Sequence, residues 1–328
     1  MKFHFGKKTH ADTPQEQIKE KKERNIVLTP SVVVLSTYVL LLLSKLIDVT
    51  LINRENEYYS VVLLQLMIFF LPGAIWCKFS GEDYIKGLRL RLPKANSIVL
   101  ILSSALLMIS GGLLMSSLLG GLENLSQNFS LYDTFISKTD GSIPSKLYLL
   151  AAYAIIPAVC EEFIFRGILC YEYEAGGVTR AVVFSSVFFA LLHFNPVNIL
   201  VYLFSGVILA LVLYATRSLF GAMIAHFLYN LFGLFGQPYM NTLYRITNSS
   251  SFFLFLVAFC FLISGAVFCH QASRLYKKYL YDGVSSNYRK PILNTKAAIK
   301  ASYISVIKEP ATIACFAFYI IASIIYMF

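Results

Sequence analysis

The sequence predicts an all-α, polytopic transmembrane bundle of about nine membrane-spanning or membrane-embedded helices. Of its 328 residues, 57% are hydrophobic and only 14% charged, a balance foreign to a soluble globule. A spanning helix needs about 20 apolar residues. Runs near that length recur at 28–47, 58–77, 97–119, 147–168, 181–195, 197–216, 218–236, 252–272 and 310–327. The distribution of Lys and Arg agrees with nine such runs. One cluster lies in the first 25 residues, a second is Lys78, Lys86, Arg89, Arg91 and Lys94, and a third runs from Arg274 to Lys300. With nine crossings all three face one side, and the positive-inside rule makes that side cytoplasmic. The expectation is an integral protein of the cytoplasmic (plasma) membrane with its N-terminus inside.

In chain order, residues 1–25 read as a cytoplasmic basic tail, too long and polar for a cleaved signal peptide. Residues 26–143 hold the first three runs. Between them, Gly81–Asn96 mixes Ile85, Leu88, Leu90 and Leu92 with Lys86, Arg89, Arg91 and Lys94, which suits a segment on anionic inner-leaflet lipids. An ordinary positive-inside loop is the plainer alternative. Residues 144–240 carry every chemical motif, and 241–328 add two crossings around a basic loop. The net charge of +10 is divided among loops, so nucleic acid is excluded as a partner. The six cysteines sit in or beside apolar runs without metal-ligand spacing, as packing residues do.

Chemistry concentrates in the fourth, fifth and seventh runs. From Tyr148 to Leu169 the only charges are Glu161, Glu162 and Arg166. Ionised groups at membrane depth are expensive and face a protein interior. Residues four apart share a helix face, so Glu162 can pair with Arg166 while Glu161, turned about 100° away, lacks a local counter-charge. Pro157 cannot donate to the carbonyl of Tyr153, which predicts a kink or polar opening next to the pair. In the fifth run Phe189 lies one turn before His193, followed by an Asn195-Pro196 turn. In the seventh, His226 and Asn230 share a face. Each motif has a plain structural counterpart: an ion pair, an interfacial histidine, an interhelical hydrogen bond. Depths counted from the expected cytoplasmic helix ends put Glu161 and His226 about 10–12 Å in, and His193 nearer 18 Å.

A carboxylate, two imidazoles and an amide around a membrane cavity suit a hydrolase. Glu161 can act as general base on a water. The histidines can orient that water or hold a metal that acidifies it. Asn230 can donate to the developing oxyanion. No Ser or Cys stands in an elbow or triad setting, so peptide cleavage by water fits better than a covalent nucleophile.

On Glu161-Glu162-x-x-x-Arg166, Phe189-x-x-x-His193 and His226-x-x-x-Asn230, in that order on separate helices, the sequence resembles the CPBP family of intramembrane endopeptidases, the CAAX proteases and bacteriocin-processing enzymes. The resemblance covers roughly 145–236. It implies a site within the membrane, open to the cytoplasm, in which Glu161, His193, His226 and Asn230 carry the chemistry and Glu162 and Arg166 support it. It also implies a polypeptide substrate at the membrane, lipidated or a peptide precursor; the compact loops look more like those of bacterial relatives. Two chemistries remain open: zinc held by Glu161, His193 and His226, or a metal-free glutamate mechanism, which the missing His-Glu-x-x-His spacing favours. A proton- or ion-coupled transporter is the main alternative, but it would need paired repeats that the sequence lacks. A non-catalytic immunity or scaffold protein is another.

Overall fold

The computed structural model describes residues 29–50, 62–80, 82–120, 143–281 and 295–327, and among these every regular element is helical. The expected tail over 1–25, the loops at 51–61 and 121–142, and the middle of the basic loop at 282–294 lie outside the described residues. The helices in chain order are α1 (Pro30–Thr50), α2 (Val62–Ser80), the short α3 (Glu82–Gly87) and α4 (Ile98–Gly120). The long, broken α5 (Lys146–Gly176) follows, then α6 (Val178–Leu192), α7 (Ile199–Thr216) and α8 (Leu219–Phe235). The rest are α9 (Gln237–Thr247), α10 (Ser250–Tyr281), α11 (Lys296–Ile307) and α12 (Pro310–Met327).

Each of the nine apolar runs corresponds to a helix, but they are not equal. Among the described residues α2, α4, α5, α7 and α10 are long and apolar enough to cross a membrane. The pair α11–α12, bent by 58°, makes a sixth if it counts as one broken span. Counted over Pro30–Ser44, α1 is shorter, as are α6 and α8. The exposed faces of α2, α4, α10 and α12 are lined by Leu63, Phe79, Leu102, Leu106, Phe255, Leu262 and Ile321, as lipid-facing helices require.

Inside this shell α7 is apolar on all sides and packs between α4 and α6, with α10 lying along α4 and α8 against α4 and α5. The approach of α6 to α7 is close: a Cβ on Gly206 would stand 3.0 Å from the Cα of Ser186. Ser218 caps α8 by accepting the amide of Gly221 at 3.1 Å. The turn between α5 and α6 rests on Gly177, whose φ of 111° is open to glycine and strained for any other residue.

That turn corrects the expected depths. Helix α5 does not stop near Ile168 but runs on to Gly176, and α6 begins at Val178 rather than Ala181. Glu161 lies fifteen residues before Gly176 and His193 fifteen after Val178, so the antiparallel hairpin brings the two to the same height, about 22 Å from the turn. The expected offset of His193 arises from an α5 ended too early.

The segment expected on the membrane surface is partly turned inward. Leu88 and Arg89 are buried, whereas Ile85, Leu90 and Leu92 are exposed. Arg89 takes a left-handed φ of 57°, and its Nη2 donates to both carboxylate oxygens of Glu174 at 2.8 and 2.7 Å. The buried carboxylate of Glu174 draws the arginine out of the surface row. At the far ends of the chain, α12 packs on α1, and Ser31 donates to Glu309, at the α11–α12 bend, at 2.5 Å.

Candidate active site

The sequence stops α5 from being a regular helix at the place where its polar residues lie. A π turn at Ala151–Ile155 precedes Pro157, and a second at Phe163–Leu169 follows Glu162. The proline, which lacks an N–H, favours such a local rearrangement, and π turns inside helices frequently mark functional sites. Between the two turns, Ile156–Glu162 presents Glu161 to a cavity of about 330 Å³.

Four of the six residues singled out in the sequence line that cavity: Glu161 from α5, His193 at the end of α6, and His226 and Asn230 from α8. Pro157 and Phe189 border it too. The other two, Glu162 and Arg166, stand behind the wall, with fully buried side chains. Arg166 Nη1 donates to Glu162 Oε1 at 2.6 Å, and its Nη2 donates to the carbonyl of Gly206 on α7 at 3.0 Å. The same Glu162 oxygen lies 2.9 Å from His226 Nδ1, which donates to it. Arg166 also sits 4.4 Å above the ring of Phe189. One buried carboxylate therefore ties α5 to α8, while its arginine ties α5 to α6 and α7.

Each histidine is held through Nδ1. In His193 that nitrogen donates to the carbonyl of Phe189 at 2.9 Å, and the ring stacks on Tyr202 at 3.8 Å between centroids. With Nδ1–H committed in both imidazoles, Nε2 is the nitrogen left for a ligand, as an acceptor. Phe189 meets both rings edge-on, at 5.0 Å for His193 and 5.7 Å for His226. The residue after His193 is locked as well. Phe194 has a left-handed φ of 47°, and its ring contacts Tyr38 of α1 at 5.4 Å and Tyr319 of α12 at 6.4 Å.

Glu161, unlike Glu162, lines the cavity. Its Oε2 is buried without a hydrogen-bond partner among the described residues. The remaining wall is mixed, with Ile109 and Leu113 from α4, Val201 and Leu209 from α7, and polar groups from Gln65, Tyr153, Asn198, Ser205 and Tyr229. Sequence reasoning missed Gln65, Tyr153 and Tyr202. None belongs to a spaced motif, and a polar residue within an apolar run was the only available signal. Among the described residues no group of three His, Cys, Asp or Glu side chains is gathered as ligands of one metal ion would be. Glu161, His193 and His226 share a cavity, but they do not form a preassembled zinc site.

Residues 143–232 match the family model described as Rce1-like, type II CAAX prenyl endopeptidase. The matched stretch is the motif-bearing core, which is similar to that family of CAAX proteases. The match takes in α5 to most of α8 and leaves α1–α4 and α9–α12 outside it. Neither a curated protein nor a solved structure matches the chain. The match and the apolar helices together support an integral membrane protein.

Proposed function

We propose that the protein is an intramembrane endopeptidase that cleaves lipidated or membrane-associated polypeptides with a water activated by Glu161. The observation that carries this reading is the shared cavity: an acid with one oxygen unpartnered among the described residues, two imidazoles pinned through Nδ1 and a carboxamide meet in a mostly apolar enclosure. Glu161 and the Nε2 of one histidine accept the two protons of a bound water, which aims an oxygen lone pair at the scissile carbonyl carbon. As the C–O bond forms, Glu161 takes one proton. The carbonyl oxygen becomes an oxyanion, to which the Asn230 carboxamide donates. Glu161 then delivers its proton to the amide nitrogen as the C–N bond breaks, leaving a carboxylic acid and an amine.

In this scheme Glu162 and Arg166 position rather than react, since neither lines the cavity. Glu162 sets the tautomer and angle of His226, and Arg166 neutralises Glu162. The test uses purified protein and a quenched-fluorescent farnesylated CAAX peptide, with and without chelator. Turnover by the wild type, lost by about 10²–10⁴-fold in Glu161→Gln with unchanged folding, supports the proposal. Full turnover by Glu161→Gln ends it. Loss of turnover on chelation alone moves the water's activation from glutamate to a metal.

A further inference from the structure

The cavity has a wall that the matched core does not supply. Gln65 belongs to α2, well before residues 143–232, yet it lines the same space as Glu161, His193, His226 and Asn230. Its Oε1 is buried and has no hydrogen-bond partner among the described residues. Two features hold it there. A π turn, Leu66–Phe70, starts at the next residue, with Gln65 as its N-terminal flank. Helix α2 also fits tightly against α5: a Cβ on Gly73 would lie 2.6 Å from Phe163 Cε1, and Phe70 meets the Phe163 ring at 5.6 Å. The backbone of α2 is thus fixed against the segment that carries Glu161.

A buried carbonyl oxygen without a donor calls for a ligand that brings one. Glu161 Oε2 is a second such acceptor in the same enclosure, and the proposed reaction gives it the water's proton. Gln65 has no part in that chemistry. A polypeptide threaded through the cavity brings N–H donors at regular intervals, and a carboxamide can meet an extended backbone without reading its side chains. We propose that Gln65 is a substrate-binding residue whose side-chain oxygen accepts a backbone N–H of the polypeptide close to the scissile bond. This rests on the peptidase reading above. It assigns to α2 a share in orienting the substrate, so that the reacting carbonyl faces Glu161.

The experiment crosses the side chain with the substrate backbone. Full-length protein carrying Glu161→Gln is reconstituted in nanodiscs, so that binding is measured without turnover. Its affinity for a fluorescent farnesylated CAAX peptide is compared with that for peptides in which single amides near the scissile bond are replaced by esters. With Gln65 present, one replacement should weaken binding by about three- to tenfold; with Gln65→Leu added, that same replacement should cost nothing further. Equal losses in both backgrounds at every position overturn the proposal, as they would for a glutamine that serves only packing. Gln65→Met repeats the cycle if the leucine variant does not fold. Turnover of the all-amide peptide by Glu161→Gln, followed in parallel, would overturn the peptidase reading while leaving the Gln65 cycle readable.

Discussion

Glu162 and Glu174 stand twelve residues apart on α5, both fully buried, and each meets an arginine within 2.7 Å. Their surroundings differ in one respect. Glu174 spends both oxygens on Arg89, which comes from a loop 85 residues away, and Tyr214 donates to it as well at 3.3 Å. Glu162 pairs with Arg166 on its own helix and shares one oxygen between that arginine and His226, leaving Oε2 without a partner among the described residues. Glu174 has both oxygens engaged, and its pair with Arg89 fastens a loop to the bundle. The other pair is under-saturated and faces, through His226, a cavity. A buried ion pair is thus weak evidence of function by itself; what separates these two is whether the third side chain on the carboxylate lines the cavity, as His226 does and Tyr214 does not.

The comparison can be broken most sharply at Glu162. Glu162→Ala leaves Arg166 buried without its counter-charge and frees His226, so a loss of about 3–5 kcal/mol in stability is expected. Turnover per folded molecule should fall by about 10²-fold or more, read by thermal unfolding in detergent and by peptide cleavage. Glu174→Ala should cost a similar loss of about 3–5 kcal/mol but leave turnover per folded molecule near that of wild type; an equal loss of activity would erase the distinction. Phe189→Leu removes the ring between Arg166 and both histidines. An effect of about 1 kcal/mol is expected, appearing as a several-fold fall in kcat with a small shift in Tm. The smallest change is Tyr214→Phe, which deletes one donor to Glu174. It should cost about 0.5–1.5 kcal/mol of stability and nothing in turnover.

What the sequence made legible was whatever repeats locally. The apolar runs follow from bilayer thickness, and all of them appear as helices, although among the described residues only five are long and apolar enough alone to span. The i,i+4 spacings of Glu162 with Arg166 and His226 with Asn230 fix shared helix faces, which is why those residues could be named without coordinates. Contacts between distant segments were not legible. Nothing in the sequence joins Arg89 to Glu174, so Arg89 reads there as a surface cation and α5 as a helix ending near Ile168. A carboxylate at Glu174 looks like a helix end until its partner is known. The π turns were hidden as well: Pro157 predicts a disturbance, but which carbonyls are re-registered depends on the packing of α2 and α8. Gln65 escaped notice because a lone amide in an apolar run has no pattern.

Tyr319 of α12 leans on Phe194, the residue beside His193, and Ser31 of α1 reaches the bend before α12. A ribosome delivers these contacts long after the three motifs have left its exit tunnel. A nascent chain threaded through the bilayer as far as α8 already owns every side chain of the proposed centre, but the Tyr319 ring that rests on Phe194, next to His193, is still unborn. Assembly order thereby separates possession of the proposed site's parts from the docking of α12 on α1, and the molecule closes upon itself like a clasp only near the finish of its synthesis.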